Sequence, residues 1–192
     1  MGKIRYGISN VHVAVLTEAN DGSITYGTPF AVKGAVSLSV DPEGGDSTPF
    51  YADNIVWYRS PETNSGYTGT LELAVTPENF LKQILSQVAD SGDAGILYEY
   101  ANNKPKRFAL LFQAEGDTYN TRYCFYDCLA GRPSRSNDTK EDTITPGTES
   151  IAITMSPRSA DSIVKAQIDQ ATGDATNYAN WFSAVKEPTA SV

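Results

Sequence analysis

The stretch Gly66-Tyr67-Thr68-Gly69-Thr70-Leu71-Glu72-Leu73-Ala74-Val75-Thr76-Pro77-Glu78-Asn79-Phe80-Leu81-Lys82-Gln83-Ile84-Leu85 changes its period halfway along. Tyr67, Leu71, Leu73 and Val75 fall on one face of an extended strand, with Thr68, Thr70 and Glu72 on the other. That period of two is the mark of a half-buried strand. From Thr76 the spacing lengthens, and Phe80, Leu81, Ile84, Leu85 and Val88 recur as one face of a helix. Thr76 is placed to N-cap it, Pro77 suits the first helical position, and Glu78 faces the positive end of the dipole. Ser91-Gly92 ends it. The reading is a helix over residues 77–90 set among strands, its apolar stripe packed on a sheet.

The flanking sequence repeats the first pattern more often than the second. Val11, Val13 and Val15 alternate with His12, Ala14 and Leu16. Asn20-Asp21-Gly22 turns the chain, and Ile24-Thr25-Tyr26 returns. Val36, Leu38 and Val40 alternate with Ala35, Ser37 and Ser39. Downstream, Ile96–Tyr100, Arg107–Ala114, Thr121–Leu129 and Glu149–Met155 read as further strands, and Arg107–Ala114 is the most apolar of them. Many strands bounded by turn residues, with one inserted helix, predict a mainly β fold: a β-sandwich or barrel with one flanking α-helix.

Two segments do not fit that core. Residues 41–66 open as Asp41-Pro42-Glu43-Gly44-Gly45-Asp46 and close as Ser60-Pro61-Glu62-Thr63-Asn64-Ser65-Gly66, yet carry Phe50, Tyr51, Trp57 and Tyr58 between. Long loops without structure of their own are usually functional, and clustered exposed apolar side chains mark contact sites. The segment is read either as a lid on the chain's own core or as an arm for a neighbouring subunit. In the tail, Val164, Ala166 and Ile168 alternate as a short edge strand. Tyr178, Trp181, Phe182 and Val185 then fall at i, i+3, i+4 and i+7, one face of a short helix. A helix so short is marginal alone, so its aromatic face must dock, on its own sheet or, the favoured reading, on a neighbour's. The division expected is a domain over 1–155, with the loop 41–66 and the helix 77–90, followed by a C-terminal arm over 156–192.

Composition bounds the function. The chain has 192 residues and a net charge of −8. That argues against a phosphate-gripping protein, whose affinity comes from clustered Lys and Arg. Residues 1–16 carry Lys3, Arg5 and His12 and lack the apolar run of a signal peptide. No run approaches a membrane helix, so the chain is expected in the cytosol where it is made, with no membrane partner. His12 is the single histidine, and no G-x-S-x-G elbow or phosphate-binding glycine loop occurs. Asp41, Glu43 and Asp46, and likewise Asp138, Glu141 and Asp142, lack the spacing of a calcium loop and read as solvated turn acids. Asn137-Asp138-Thr139 has the form of a glycosylation sequon, a pattern that recurs by chance. The basic residues Arg132, Arg135 and Lys140 alternate with acids, a salt-bridged surface rather than a nucleic-acid patch. Cys124 and Cys128, four apart in one strand, should share a face about 13 Å apart. That is too far for a disulfide, so both are expected to be buried reduced thiols. No catalytic residue, metal site or cofactor is expected, and the chain is read as a non-enzyme.

Several motifs in their order along the chain resemble the major tail protein of bacteriophages with long, non-contractile tails. They are Tyr6-Gly7-Ile8-Ser9-Asn10-Val11-His12-Val13-Ala14, then Gly34–Gly44, then Thr48-Pro49-Phe50-Tyr51-Ala52-Asp53-Asn54. Gly66–Ala74, Phe108–Phe112, Thr139-Lys140-Glu141 and Trp181-Phe182 follow. The resemblance implies a structural virion protein: a β-sandwich or half-barrel flanked by a helix, six copies to a ring, rings stacked into a tail tube. It implies as partners further copies of the chain, a tape measure protein and other tail proteins. Genomic DNA would pass through the lumen without specific binding. Location would be the virion tail, after assembly in the host cytoplasm. Loops and arms would join neighbouring rings, which makes Phe50, Tyr51, Trp57, Tyr58, Tyr178, Trp181, Phe182 and Val185 the expected subunit interface. A carbohydrate-binding or adhesion β-sandwich is the alternative class, and a hydrolase with an unrecognised site a third.

Overall fold

The structure is a computed structural model that describes residues 6–93, 95–116, 119–137, 139 and 146–189. Lys3, Arg5, Asp138, Lys140, Glu141 and Asp142, and with them the sequon and the second acidic group, lie outside the described residues. The elements in chain order are β1 (Ile8–Glu18), β2 (Ile24–Tyr26), β3 (Phe30–Ala31), β4 (Ala35–Glu43), β5 (Pro49–Ala52), β6 (Ile55–Arg59) and β7 (Gly66–Leu73). Then come α1 (Glu78–Gln83), β8 (Val88–Ala89), β9 (Leu97–Tyr98), β10 (Phe108–Ala114), β11 (Arg122–Ala130), β12 (Ser134–Arg135), β13 (Glu149–Met155), β14 (Lys165–Ile168) and α2 (Ala175–Ala179). The fold is mainly β, as the alternating sequence predicts.

One antiparallel sheet runs in the order β2-β1-β10-β11-β13-β7-β4, with β3 on β1, β12 on β13 and β14 on β11. Its two ends share one core. Val11 and Val13 of β1 pack in the same cluster as Leu38 and Val40 of β4, so the sheet curls around that cluster. Phe80, Ile84 and Leu85, from α1 and the turn after it, fill the concave side together with Leu71, Leu73, Phe108, Leu110, Ile151 and Ile153. The last six are all fully or almost fully buried, which places Arg107–Ala114 in the middle of the sheet as its apolar sequence requires.

Bulges decide which side chains face in. In β4 the register shifts between Ala35 and Ser37. Ala35, Leu38 and Val40 therefore face the core while Val36 is exposed, against the simple alternation of Val36 with Leu38. In β11 four residues, Phe125 to Cys128, oppose three in β10, Phe108 to Leu110. The extra residue moves Cys128 to the concave core and leaves Cys124 on the convex side. The two thiols are thus on opposite faces, not on one. Both are free, and burial pushes both well above the ordinary thiol range. The same bulge brings Asp127 to Arg107, whose Nε donates to Oδ1 at 2.7 Å.

The helix is shorter than the expected 77–90. It begins at Glu78 after an N-cap at Pro77 and has no side-chain cap, and Thr76 is turned elsewhere. Its Oγ1 and N–H both donate to Glu149 Oε2, at 2.5 and 3.0 Å. Arg135 Nε reaches the other oxygen at 2.7 Å. Burial alone would raise the Glu149 carboxyl, but these donors outweigh it and hold it below its ordinary value. The helix stops at Ile84. Ser86 takes a left-handed backbone (φ 58°), and Val88–Ala89 pairs with Leu97–Tyr98 as a small separate sheet. One and a half turns suffice to bury Phe80, Ile84 and Leu85, and Val88 is left exposed.

Candidate functional site

The segment expected as a long loop is an ordered ribbon. β5 and β6 pair antiparallel through Pro49↔Arg59, Phe50↔Tyr58, Tyr51↔Val56 and Ala52↔Ile55, with Trp57 the extra residue of a bulge. Asp53 and Asn54 close the hairpin with φ of 51° and 64°, the two positive values a tight type I′ turn needs. Below them Thr48 N–H donates to Ser60 Oγ at 2.9 Å and Ser60 N–H returns to the Thr48 carbonyl at 3.1 Å. Gly45 N–H donates to Thr63 Oγ1 at 2.7 Å, and Ser65 N–H to the Glu43 carbonyl at 2.8 Å. These bonds join the hairpin without a break to β4 and β7, whose last pair is Glu43↔Gly66. Nine residues from Gly44 to the turn give roughly 30 Å of contour beyond the sheet.

Glycine is required where the ribbon leaves the sheet. A Cβ on Gly44 would lie 1.7 Å from the Thr63 carbonyl oxygen. Gly66 has φ 117° and its backbone runs against Met155, whose carbonyl oxygen would be 2.1 Å from a Cβ.

None of the ribbon's large side chains reaches either hydrophobic cluster. Phe50 and Tyr51 are each 62% exposed, Trp57 68% and Tyr58 58%, with Ile55 and Val56 also exposed. The lid reading is therefore corrected: the ribbon covers no part of its own core. The signal for this was present in Tyr51-Ala52-Asp53-Asn54-Ile55-Val56, a two-residue turn between β-forming residues.

The C-terminal segment does the opposite. Trp181 is 5% exposed, packed on the convex face against Ala14, Ala109, Leu111, Cys124 and Tyr126, with Phe182 and Val185 at the margin. Its Nε1 donates to the Tyr123 carbonyl at 3.3 Å. Phe182 stacks on His12 at 4.9 Å, and the Arg122 guanidinium lies 3.8 Å from the Tyr178 ring centre. The groove that receives the tail is the chain's own sheet rather than the favoured neighbour's. α2 is also only five residues long, capped by Asp174, whose carboxylate accepts from Asn177 N–H at 2.9 Å. Trp181, Phe182 and Val185 thus follow the helix, and only Tyr178 lies in it. Ahead of the helix, Asp169 gathers the N–H groups of Ala171 and Thr172 into a tight turn.

An ion-pair cluster clasps the end of this segment. Arg158, 5% exposed, pairs with Asp161 and reaches Glu187 at 2.6 Å. Tyr126 Oη donates to the Lys186 carbonyl at 2.7 Å. The Arg158 guanidinium holds the Asp161 carboxyl below its ordinary value.

The rest of the convex face is bare. Across β4, β7 and β13 it presents three rows: Ser37, Glu72 and Ser150; Ser39, Thr70 and Ala152; Asp41, Thr68 and Thr154. These nine positions hold two carboxylates and no cation. Among the described residues no group of three His, Cys, Asp or Glu could hold a metal, and no helix is long and apolar enough to cross a membrane.

No protein-family model and no curated protein matches the chain. Among solved structures it is similar to a chain of the anti-feeding prophage baseplate, a 6-fold symmetrised cryo-EM structure. The identity is 8% over 86% of this chain and 97% of that one, with a TM-score of 0.42. A likeness of that degree does not decide function.

Proposed function

We propose that this chain is a structural subunit of a phage tail, forming hexameric rings that stack into a tube for DNA passage. The carrying observation is the ribbon, which projects four aromatic side chains into solvent at the end of a hydrogen-bonded stalk. Large exposed apolar patches mark contact sites, and a rigid stalk presents them at low entropic cost. The sequence resemblance supplies the ring and the tube. Phe50, Tyr51, Trp57 and Tyr58 are the principal contacts between copies. Tyr178, Phe182 and Val185 serve at the rim, and Trp181 holds the tail in place beneath them. The tape measure protein would lie within the tube.

The hydroxyl rows of β4, β7 and β13 suit the lumen. A surface of Ser and Thr with two acids offers a polyanion no counter-charge, so DNA slides without binding. Ring closure would also remove the free edge of β4.

Negative-stain electron microscopy of the purified full chain, with sedimentation velocity, tests the reading. Rings or tubes are expected as concentration rises. A chain that stays monomeric at millimolar concentration and binds glycans would overturn it in favour of the adhesion class, for which the exposed Trp57 would be the sugar platform.

A further inference from the structure

A second exposed apolar surface lies on the segment between α1 and β10. Val88 is 50% exposed, Ile96 and Tyr98 each 42%, and Tyr100 52%. The Tyr98 and Tyr100 rings stand 6.3 Å apart. The platform is knit to the domain. Lys106 N–H donates to the Ile84 carbonyl at 2.7 Å, Asn103 Nδ2 to the Ser86 carbonyl at 2.7 Å, and Ser86 Oγ to the Lys104 carbonyl at 3.0 Å. Glu99 is engaged by Gln87 and Arg132, each at 3.1 Å. Asp90 turns its carboxylate onto the N–H groups of Gly92 and Asp93. Lys104 and Lys106, four and six residues after Tyr100, are exposed, and neither forms an ion pair among the described residues.

The ribbon has the complementary character. Between residues 44 and 65 it carries Asp46, Asp53 and Glu62 against Arg59 alone, with Asp53 at the tip. A buried aromatic ring contributes roughly 150–250 Å². Four rings about three-fifths exposed thus offer several hundred Å², a large share of the roughly 800 Å² per partner of a stable interface.

We propose that the ribbon of one copy docks on the Tyr98–Tyr100 platform of a second copy, with Asp53 meeting Lys104 and Lys106. This rests on the assembly reading above and names the receiving surface. Donor and acceptor patches differ, so the contact is heterologous. It passes from copy to copy instead of closing as a two-fold dimer, which is what a ring or a stack requires.

Charge exchange tests it. Asp53→Lys, and separately the Lys104→Glu/Lys106→Glu pair, should each raise the concentration needed for assembly by about tenfold, since like charges then face each other. Combining all three substitutions should restore it. Thermal melts establish that each variant is folded. Wild-type assembly with unaffected charge variants, or with no rescue in the combination, overturns the docking while leaving the assembly reading in place. A wild-type chain that never assembles overturns both. As a second measurement, copies carrying Ile55→Cys mixed with copies carrying Asn102→Cys should form an intermolecular disulfide on mild oxidation, while either variant alone forms none. Ribbon-to-ribbon cross-linking by Ile55→Cys alone, or no cross-link in the mixture, overturns the docking.

Discussion

The ribbon and the C-terminal segment carry the same kind of cargo and treat it oppositely. Each has a Trp flanked by other aromatic side chains. Trp181 sits 5% exposed in a groove of its own sheet, and Trp57 stands 68% exposed on a stalk. The difference is what lies beneath. The tail crosses Ala14, Ala109 and Cys124, small residues that make room for the indole on the convex face, and Trp181 donates to the Tyr123 backbone carbonyl. The ribbon leaves the sheet at Gly44 and Gly66 and runs beyond it, so nothing of its own domain is within reach. Aromatic content alone therefore does not separate a core element from a contact element. The path of the backbone does.

The comparison breaks most sharply at Trp181. Truncating a buried Trp costs roughly 3–5 kcal/mol, and Trp181→Ala should lower the stability of the free chain by that order in a denaturant titration. A loss under about 1 kcal/mol would mean the tail is not docked on its own sheet.

Acid should release the tail before the ribbon. The Asp161 carboxyl is held below its ordinary value of 3.8, chiefly by its hydrogen bond from Arg158. The unfolded chain therefore takes up that proton first as pH falls. The stability the pair contributes is complete above about pH 4 and is lost as pH drops through the folded value. Trp181 fluorescence should shift to the red in that window, and Asp161→Asn should abolish the shift's pH dependence. An unchanged profile would show that the clasp is immaterial.

At the ribbon the expected effect on the free chain is small. Trp57→Ala should change stability by no more than about 0.5 kcal/mol, as for exposed positions generally, while blocking assembly. Loss of a cooperative melt in this variant would restore the lid reading. The smallest effect is spectroscopic. In Trp57→Phe the remaining indole is buried and should emit to the blue of that in Trp181→Phe, with Trp57 moving blue only when copies associate.

Much of the fold was legible. Period-two runs found β1, β4, β7, β10, β11, β13 and β14, and the stripe at Phe80, Ile84 and Leu85 found α1 and the face it buries. The differences have separate physical causes. Extra residues at Val36 and at Tyr126–Asp127 flip the strand faces that follow, and a bulge has no signature in apolar periodicity. The helix was drawn too long because Ile84, Leu85 and Val88 keep helical spacing after the backbone has turned at Ser86. The cap was misassigned because Glu149, 73 residues away, competes for Thr76.

By itself the sequence determined the class of the molecule. Alternating apolar residues must bury one face, Gly and Asp-Asn must turn, and a net charge of −8 with a single histidine gives little purchase to phosphate binding or triad chemistry. It also determined that eight aromatic and aliphatic residues outside the core pattern needed a partner. Which of them found one within the chain was decided only in three dimensions. Docking depends on a groove assembled from β1, β10 and β11, strands up to about a hundred residues apart, and on the exit angle at two glycines. Long-range packing of that kind is a property of surfaces brought together by folding, and no local spacing encodes it.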